Sequence, residues 1–280
     1  MKHHTSLKPV HYYRLPALRI LATVLALLGG IIPPTLSAVT ITFDSGDAFF
    51  ENFRLFKQNG DNPTYDATNG GMTVPKGNNA TYVYDTTPAD ATKATQDTFT
   101  ISPNNPFTIS TTFVMGYANS SIGIYIVNPA NEATGYLALY NINASASKDQ
   151  LRIATNAIPN ITGAGTLIGV TDQDGLDLNQ EGIMKITYGL EAEGTTGYLS
   201  IDLYSSAAPE TPVYSFTKTA ITDPLTTFEI ALRFSRQASD NAYVIKNLEM
   251  VPELATHATL AGLALLGIAI FQRIQTRRRR

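Results

Sequence analysis

In residues Phe107–Met115, with the sequence FTISTTFVM, every second side chain belongs to a mostly apolar set, and the residues between them form a second set. A period of two places successive side chains on opposite faces of a β-strand, whereas a helix repeats its apolar residues every three to four positions. The run Ile122–Val127 (IGIYIV) follows after a turn of small residues and is rich in β-branched side chains. Together the two runs predict neighbouring strands in a sheet.

The same pattern extends over residues 39–250. About a dozen short β-branched and aromatic runs are separated by Gly, Pro, Asn and Asp, including the turn signals Asn128-Pro129 and Asp223-Pro224. No stretch of about ten residues in this region has clear helical periodicity. The pattern predicts an all-β domain, an antiparallel β-sandwich. Residues 48–57 fit a short helix or a bulged strand, and residues 156–169 and 172–182 are predicted to be loops.

Charged and reactive side chains are distributed unevenly along the 280 residues. Residues 39–251 carry 11 basic and 22 acidic residues, a net charge of −11, while nine of the 20 basic residues lie near the two ends. All four histidines also lie in the end segments, and the chain contains no cysteine or tryptophan. The central region therefore lacks Ser–His and Cys–His catalysis, imidazole or thiolate metal sites and disulfides. Its acidity also argues against a nucleic acid partner.

Residues 1–38 are predicted to form a secretory signal peptide, with a signal helix. Basic residues extend to Arg19, an apolar run fills Ile20–Ile32, and Leu36-Ser37-Ala38 provides small residues for cleavage after Ala38. This predicts the secretion translocon and signal peptidase as partners. The alternative is a permanent N-terminal anchor, although 13 apolar residues are fewer than the roughly 20 that span a bilayer.

Residues 251–280 combine a short motif, an apolar run and a basic end. The apolar run Ala258–Phe271 predicts a transmembrane helix, and the terminal arginines would remain on the cytoplasmic side of a membrane. The acidic domain would then lie outside the membrane. The candidate sorting and processing residues are Val251, Pro252, Glu253, Arg277, Arg278, Arg279 and Arg280.

This tail resembles the PEP-CTERM sorting signal of Gram-negative bacteria that make exopolysaccharide. Pro252 and Glu253 match the first two positions of its Pro-Glu-Pro motif, and the apolar run and the arginine cluster follow in order. Two departures are that Leu254 replaces the second motif proline and that the polar residues Gln272 and Gln275 precede the arginine cluster. The resemblance implies recognition by an exosortase-like membrane protease and transfer to the cell surface or extracellular matrix. The alternative is a plain C-terminal membrane anchor.

The order of the predicted strands resembles the laminin-G and concanavalin-A-like lectin/glucanase group. Phe43-Asp44 beside a turn fits the first strand of such domains, and the paired runs around Phe107 and Ile122 fit two core strands. The resemblance implies a jelly-roll-like sandwich over residues 39–250. This fold hosts binding modules, enzymes and inert spacers, so function must be argued from the residues of a site.

Tyrosines at even spacing are the candidate carbohydrate contacts. Sugar-binding sites stack pyranose faces on exposed aromatic rings, and each of two strand faces carries two such rings. The alternative is that these rings cap the core. The four candidates are Tyr82, Tyr84, Tyr136 and Tyr140.

The densest group of oxygen ligands lies in residues 172–179, and calcium is the candidate cofactor there. Calcium prefers carboxylate and amide oxygens, although Gly175 does not fit the EF-hand spacing. The alternative is an ordinary Asp-rich turn. The candidate ligands are Asp172, Asp174, Asp177 and Asn179.

No carboxylate pair with the spacing of a glycosidase motif is evident. Glu191 and Glu193 are predicted to lie at the tip of a turn, while Asp202 and Glu229 are predicted to be outward, solvated strand residues. The sequence therefore predicts an exported, non-enzymatic surface or matrix protein with extracellular polysaccharide as its expected ligand. A secreted glycoside hydrolase or lyase on the same fold and an inert spacer remain open as alternatives.

Overall fold

Two antiparallel β-sheets pack against each other in the computed structural model, which describes residues 38–86, 97–103, 105–142, 149–155, 166–236 and 243–252. These residues form seventeen strands and one short helix. The elements are β1 (Val39–Thr42), α1 (Gly46–Phe50), β2 (Phe53–Asn59), β3 (Thr64–Asp66), β4 (Gly71–Thr73), β5 (Asn79–Tyr84), β6 (Phe99–Thr100), β7 (Phe107–Met115), β8 (Ser120–Val127), β9 (Gly135–Ile142), β10 (Asp149–Thr155), β11 (Thr166–Gln173), β12 (Glu181–Leu190), β13 (Gly197–Ser205), β14 (Ala208–Ile221), β15 (Thr227–Ser235), β16 (Tyr243–Ile245) and β17 (Asn247–Pro252).

The first sheet has nine strands and the second has eight. The main path of the first is β14-β13-β12-β7-β16-β4-β3, with β17 also pairing with β7, and β1 with β17. The second follows β11-β10-β9-β8-β15-β5-β2, with β6 beside β15. All pairings between these strands are antiparallel, so the predicted all-β antiparallel sandwich is confirmed.

The main hydrophobic core lies between the two sheets. Alternate residues of β7, such as Ile109 and Phe113, meet alternate residues of β8 and β15, such as Ile124 and Leu232, and all four are almost inaccessible to solvent. Each side chain of this size contributes about 1.5–3 kcal/mol when it is fully buried. The strict alternation of β7 is therefore explained by one face packing in this core.

The eight-stranded sheet is also apolar on its opposite face, and every residue of β8 is buried. Glu229 of β15 lies on this face, because its neighbours Phe228 and Ile230 point into the main core. The prediction that Glu229 is solvated is wrong, since the residue is fully buried. The second apolar cluster consists of Val83, Tyr125, Val127, Leu137, Leu139, Ala154 and Ala231.

Segment 48–57 contains both of the structures that its sequence allowed. Ser45 caps α1 by accepting a hydrogen bond from the Ala48 N–H (3.0 Å), and Phe49 points into the core. The chain then continues as β2, which has a register shift between Leu55 and Lys57.

The prediction of loops over 156–169 and 172–182 is partly wrong, because β11 covers residues 166–173 of that region. Its pairing with β10 provides the hydrogen bonds of a strand.

The two ends of the described domain lie side by side. Val39 of β1 pairs with Met250 of β17, and β17 continues through Val251 and Pro252, opposite Thr108 and Phe107 of β7. Val251 and Pro252, two of the predicted sorting residues, thus belong to a sheet strand. The predicted signal helix, the C-terminal helix, Glu253 and the arginine cluster lie outside the described residues. Within the described ranges, no helix has the length and apolar character needed to cross a membrane.

Candidate functional site

A cleft of about 500 Å³ opens at one end of the sandwich, where the β8–β9 turn faces the connection between β14 and β15. Its walls come from four separate parts of the sequence that the two sheets bring together. The residues that line it are Asn128, Thr134, Gly135, Tyr136, Thr155, Ile168, Ala220, Ile221, Thr222, Asp223 and Leu225.

The β8–β9 turn is held in shape by hydrogen bonds within it. The Asn128 side-chain oxygen accepts from the Ala130 N–H (2.9 Å), and that of Asn131 accepts from the Ala133 N–H (3.2 Å). The backbone N–H of Asn128 also donates to the carbonyl oxygen of Thr134 (3.0 Å). Asparagine favours such turns because its side chain can replace a backbone partner. One wall of the cleft is therefore preorganised.

Two tyrosines fix the opposite wall. The Leu225 N–H donates to the Tyr188 hydroxyl (2.6 Å), which in turn donates to the Leu225 carbonyl oxygen (2.9 Å). The Tyr136 hydroxyl donates to the carbonyl oxygen of Asp223. Burial is the main cause that raises the pKa of both tyrosines, and the nearby Asp223 charge adds to the effect at Tyr136. Both hydroxyls therefore remain protonated and able to donate at neutral pH.

The cleft combines apolar side chains with polar groups. Ile168, Ile221 and Leu225 supply apolar surface. The hydroxyls of Thr155 and Thr222 and the carboxylate of Asp223 have no hydrogen-bond partner among the described residues, so they can bond to a ligand. Among the residues that the structure describes, Asp223 is also the only acid that lines the cleft. A glycosidase uses two carboxyl groups roughly 5–10 Å apart. The lining therefore suits binding of a hydroxyl-rich molecule better than its hydrolysis.

The four candidate carbohydrate-contacting tyrosines do not form an exposed platform, which corrects that prediction. Tyr82 and Tyr140 are completely buried, and Tyr84 and Tyr136 are each 8% exposed. All four rings pack in the core between the sheets, as the alternative interpretation proposed. Tyr136 alone borders the cleft, and its hydroxyl is already bonded to Asp223.

The candidate calcium ligands are also not gathered into a site. Asp172 lies in β11, whereas Asp174, Asp177 and Asn179 lie in the loop after it, and all four are exposed. Over the described ranges, no group of three or more acidic or histidine side chains is placed to hold a metal ion. Asn179 adopts a positive φ of 66°, and its N–H donates to the Met115 carbonyl oxygen (3.0 Å). The positive φ and this hydrogen bond identify Asn179 as a turn residue.

Loop 174–180 is anchored by a buried polar network. The hydroxyl of Tyr140 donates to the carboxylate of Asp149 and accepts from the N–H of Leu176 (3.1 Å), whose side chain is buried. Burial and the hydrogen bond to Asp149 raise the pKa of Tyr140. The Asp-rich loop therefore closes the end of the sandwich opposite the cleft.

Replacement of Gly175 by alanine is expected to destabilise the domain by roughly 1–3 kcal/mol. A Cβ there would overlap the Asp149 carboxylate and lie 2.7 Å from the Tyr140 hydroxyl. Urea unfolding followed by circular dichroism would measure the change. Gly46→Ala is the matched control, because a Cβ at Gly46 meets nothing within 4 Å. Equal stability of the two variants would contradict this account.

The remaining acidic candidates lie away from the cleft. Glu191 and Glu193 lie in the β12–β13 turn, as predicted, where the Gly194 N–H donates to the Glu191 carbonyl oxygen (2.8 Å). The Glu191 carboxylate pairs with Lys218 (2.5 Å), and both groups are largely exposed. Asp202 accepts a hydrogen bond from Ser215 (2.6 Å). None of these three acids lines the cleft.

Sequence reasoning missed most of the cleft. Asn128-Pro129 and Asp223-Pro224 are recognisable as turns, but no local pattern shows that two turns separated by almost one hundred residues face each other. Thr155 and Ile168 carry no signal at all, because each is an ordinary residue of a strand.

No protein-family model matches this sequence, and a comparison with curated proteins found no match. Solved structures of similar fold include the metal-free carbohydrate recognition domain of Emp46p (10% identity, TM-score 0.48, covering 76% of this chain and 95% of that chain). The exoplasmic/lumenal domain of VIP36, in a Ca²⁺/Man3GlcNAc-bound form, is 7% identical (TM-score 0.47, 76% and 89% covered). A protein of unknown function with a galectin-like fold from Bacillus subtilis is 10% identical (TM-score 0.45, 76% and 94% covered).

Proposed function

We propose that this chain is an exported, non-catalytic protein whose concanavalin-A-like sandwich binds polysaccharide in the end cleft, and whose tail directs it to the cell surface or matrix. The observation that carries the binding proposal is the lining of the cleft, where the hydroxyls of Thr155 and Thr222 and the carboxylate of Asp223 lie beside apolar side chains. None of these three groups has a hydrogen-bond partner among the described residues. A volume of about 500 Å³ is in the range of small-molecule sites. The cleft would hold a short stretch of a longer polymer.

Neutral sugars are the ligand class that fits this chemistry. Asp223 can accept hydrogen bonds from sugar hydroxyls, Thr155 and Thr222 can donate and accept, and Ile221 and Leu225 can contact the C–H groups of a pyranose ring. An acidic polymer would be repelled, because Asp223 lies in the cleft and residues 39–251 have a net charge of −11.

Export and sorting rest on the sequence of the two ends. The basic and apolar residues 1–32 with the Ala38 cleavage site support translocation, and the motif, apolar run and arginines of residues 251–280 support recognition by an exosortase-like protease. The absence of cysteine is compatible with folding in any redox compartment.

Replacement of Asp223 by asparagine is expected to weaken binding of a neutral polysaccharide roughly 10- to 100-fold, because a hydrogen bond to a charged group contributes about 1.5–3 kcal/mol. Affinity electrophoresis in gels containing dextran, mannan or xyloglucan would measure the retardation. Asp174→Asn removes the same charge from the opposite end and should bind as the wild type does.

Two results would contradict the proposed binding site. Either none of the three polymers retards the wild-type protein, or Asp223→Asn is retarded as strongly as the wild type.

Intact mass measurement of the protein from its native envelope and medium tests export separately. Termini near Val39 and near Val251 to Leu254 are expected, whereas a chain that still ends at Arg280 would contradict processing of the tail.

A further inference from the structure

The cleft and the exit of the chain toward the tail lie at the same end of the sandwich. The last described residue, Pro252, pairs with Phe107, the first residue of β7. The ring of Phe107 contacts that of Phe228 (5.5 Å between centroids), which contacts that of Tyr188 (5.3 Å). Tyr188 in turn holds Leu225 of the cleft. A short series of contacts therefore connects the chain exit to the cleft wall.

The opposite end of the sandwich is far from this exit. Met115, the last residue of β7, accepts a hydrogen bond from the Asn179 N–H. Nine residues of strand separate the two ends of β7 by roughly 27 Å. Leu178, beside Asn179, is 45% exposed and marks this distal end.

The tail leaves little distance between the domain and a membrane. Five residues, 253–257, separate β17 from the apolar run that begins at Ala258. Fully extended, they reach at most about 18 Å. A tail anchored in a membrane would therefore hold the Pro252 end of the sandwich near the lipid surface and Leu178 farther away.

We infer that the membrane-anchored form holds its cleft toward the lipid surface, and that release of the tail exposes the cleft to polysaccharide. This inference rests on the proposed function, since it requires the tail to anchor the domain. A gap of at most about 18 Å admits small solutes but restricts a hydrated polymer coil. At a separation of about 18 Å, anionic lipids would repel Asp223 only weakly. This distance is more than twice the Debye length, which is about 8 Å at physiological ionic strength.

Single cysteines can measure this orientation, because the chain contains none of its own. Thr222→Cys places a thiol at the cleft, and Leu178→Cys places one at the distal end. Each variant is prepared as residues 39–280, the form expected after removal of the signal peptide, so that the tail is its only apolar end. It is reconstituted in phosphatidylcholine vesicles and treated with a maleimide carried on a polyethylene glycol chain. Each is also made with a Gly/Ser spacer of about 30 residues between Glu253 and Leu254, which extends the tether by roughly 30 Å on average.

The spacer is expected to increase the modification rate of Thr222→Cys several-fold and to leave that of Leu178→Cys unchanged. An unchanged rate at Thr222→Cys in chains that float with the vesicles would overturn the inference and leave polysaccharide binding intact. Chains that do not float with the vesicles would show that the tail is no anchor, which overturns both the inference and the proposed sorting route. Neither result depends on the identity of the ligand.

Discussion

Above pH 10 the domain is expected to lose stability steeply, because the fold holds many tyrosines in their neutral form. Burial raises the pKa of each of nine tyrosines above its ordinary value of 10.0 and is the largest cause in every case. For Tyr82 the pKa reaches about 12. The nine are Tyr82, Tyr84, Tyr125, Tyr136, Tyr140, Tyr188, Tyr204, Tyr214 and Tyr243.

The sign of the effect follows from proton linkage. The unfolded chain loses its tyrosine protons near pH 10, while the folded chain keeps them to higher pH, so stability falls as the pH rises. The stabilisation is complete below pH 10. The contribution of Tyr82 alone, on the order of 3 kcal/mol, is lost between pH 10 and about 12. The other eight tyrosines shift in the same direction, so their contributions to stability are also lost as the pH rises above 10.

Urea unfolding at a series of pH values, with phenolate absorbance recorded in parallel, would test this. The absence of tryptophan leaves the tyrosine signal unobscured. In Tyr82→Phe the free energy of unfolding should fall less steeply with pH, by about 1.4 kcal/mol per pH unit between pH 10 and about 12. The variant also loses the hydrogen bond from the Tyr82 hydroxyl to Asn62 (3.1 Å). Smooth ionisation of all tyrosines from pH 10 in a chain that remains folded would contradict the prediction.

Replacement of Gly135 by alanine is expected to destabilise the domain by about 3 kcal/mol or more. Gly135 begins β9 with a φ of 147°, which L side chains rarely adopt, and its Cβ would overlap the carbonyl oxygen of Ile126. Since neither backbone segment can move without breaking the β8–β9 pairing, the strain cannot be relieved locally. The melting temperature should fall by roughly 6–12 °C.

Gly194→Ala is the control that separates conformational strain from overlap. Gly194 also has a positive φ (73°), but the nearest atom to its Cβ is 3.4 Å away. That variant should lose only about 1–2 kcal/mol. Calorimetric melting of both variants would compare them, and an equal loss would mean that overlap with Ile126 has no effect. Gly135→Ala should also weaken the proposed binding of polysaccharide, because Gly135 lines the cleft.

The sequence predicts much of the fold, because alternation is a local property. The strands β7, β13 and β17 follow directly from period-two patterns. The prediction is less complete where both faces of a strand are buried. In β8 every position is buried, so the pattern identifies a strand but not which face meets the main core.

The cleft is the part that local patterns describe least. Its residues lie on a turn after β8, at the end of β10, in β11 and after β14, so pairing between distant strands is required to bring them together. Even spacing predicted correctly that Tyr82 and Tyr84 share one face of a strand. It could not show that this face points into the core, because a tyrosine suits either environment.

The sequence by itself determined that this chain has an acidic, cysteine-free β domain between two apolar, basic ends. These properties depend only on composition and on side-chain spacing along the chain. Tertiary structure decided that Tyr140 and Glu229 are buried, that Val251 and Pro252 belong to a sheet strand, and that the cleft lies at the end from which the tail departs. Strand register determines these features, and it is fixed by contacts between residues more than one hundred positions apart.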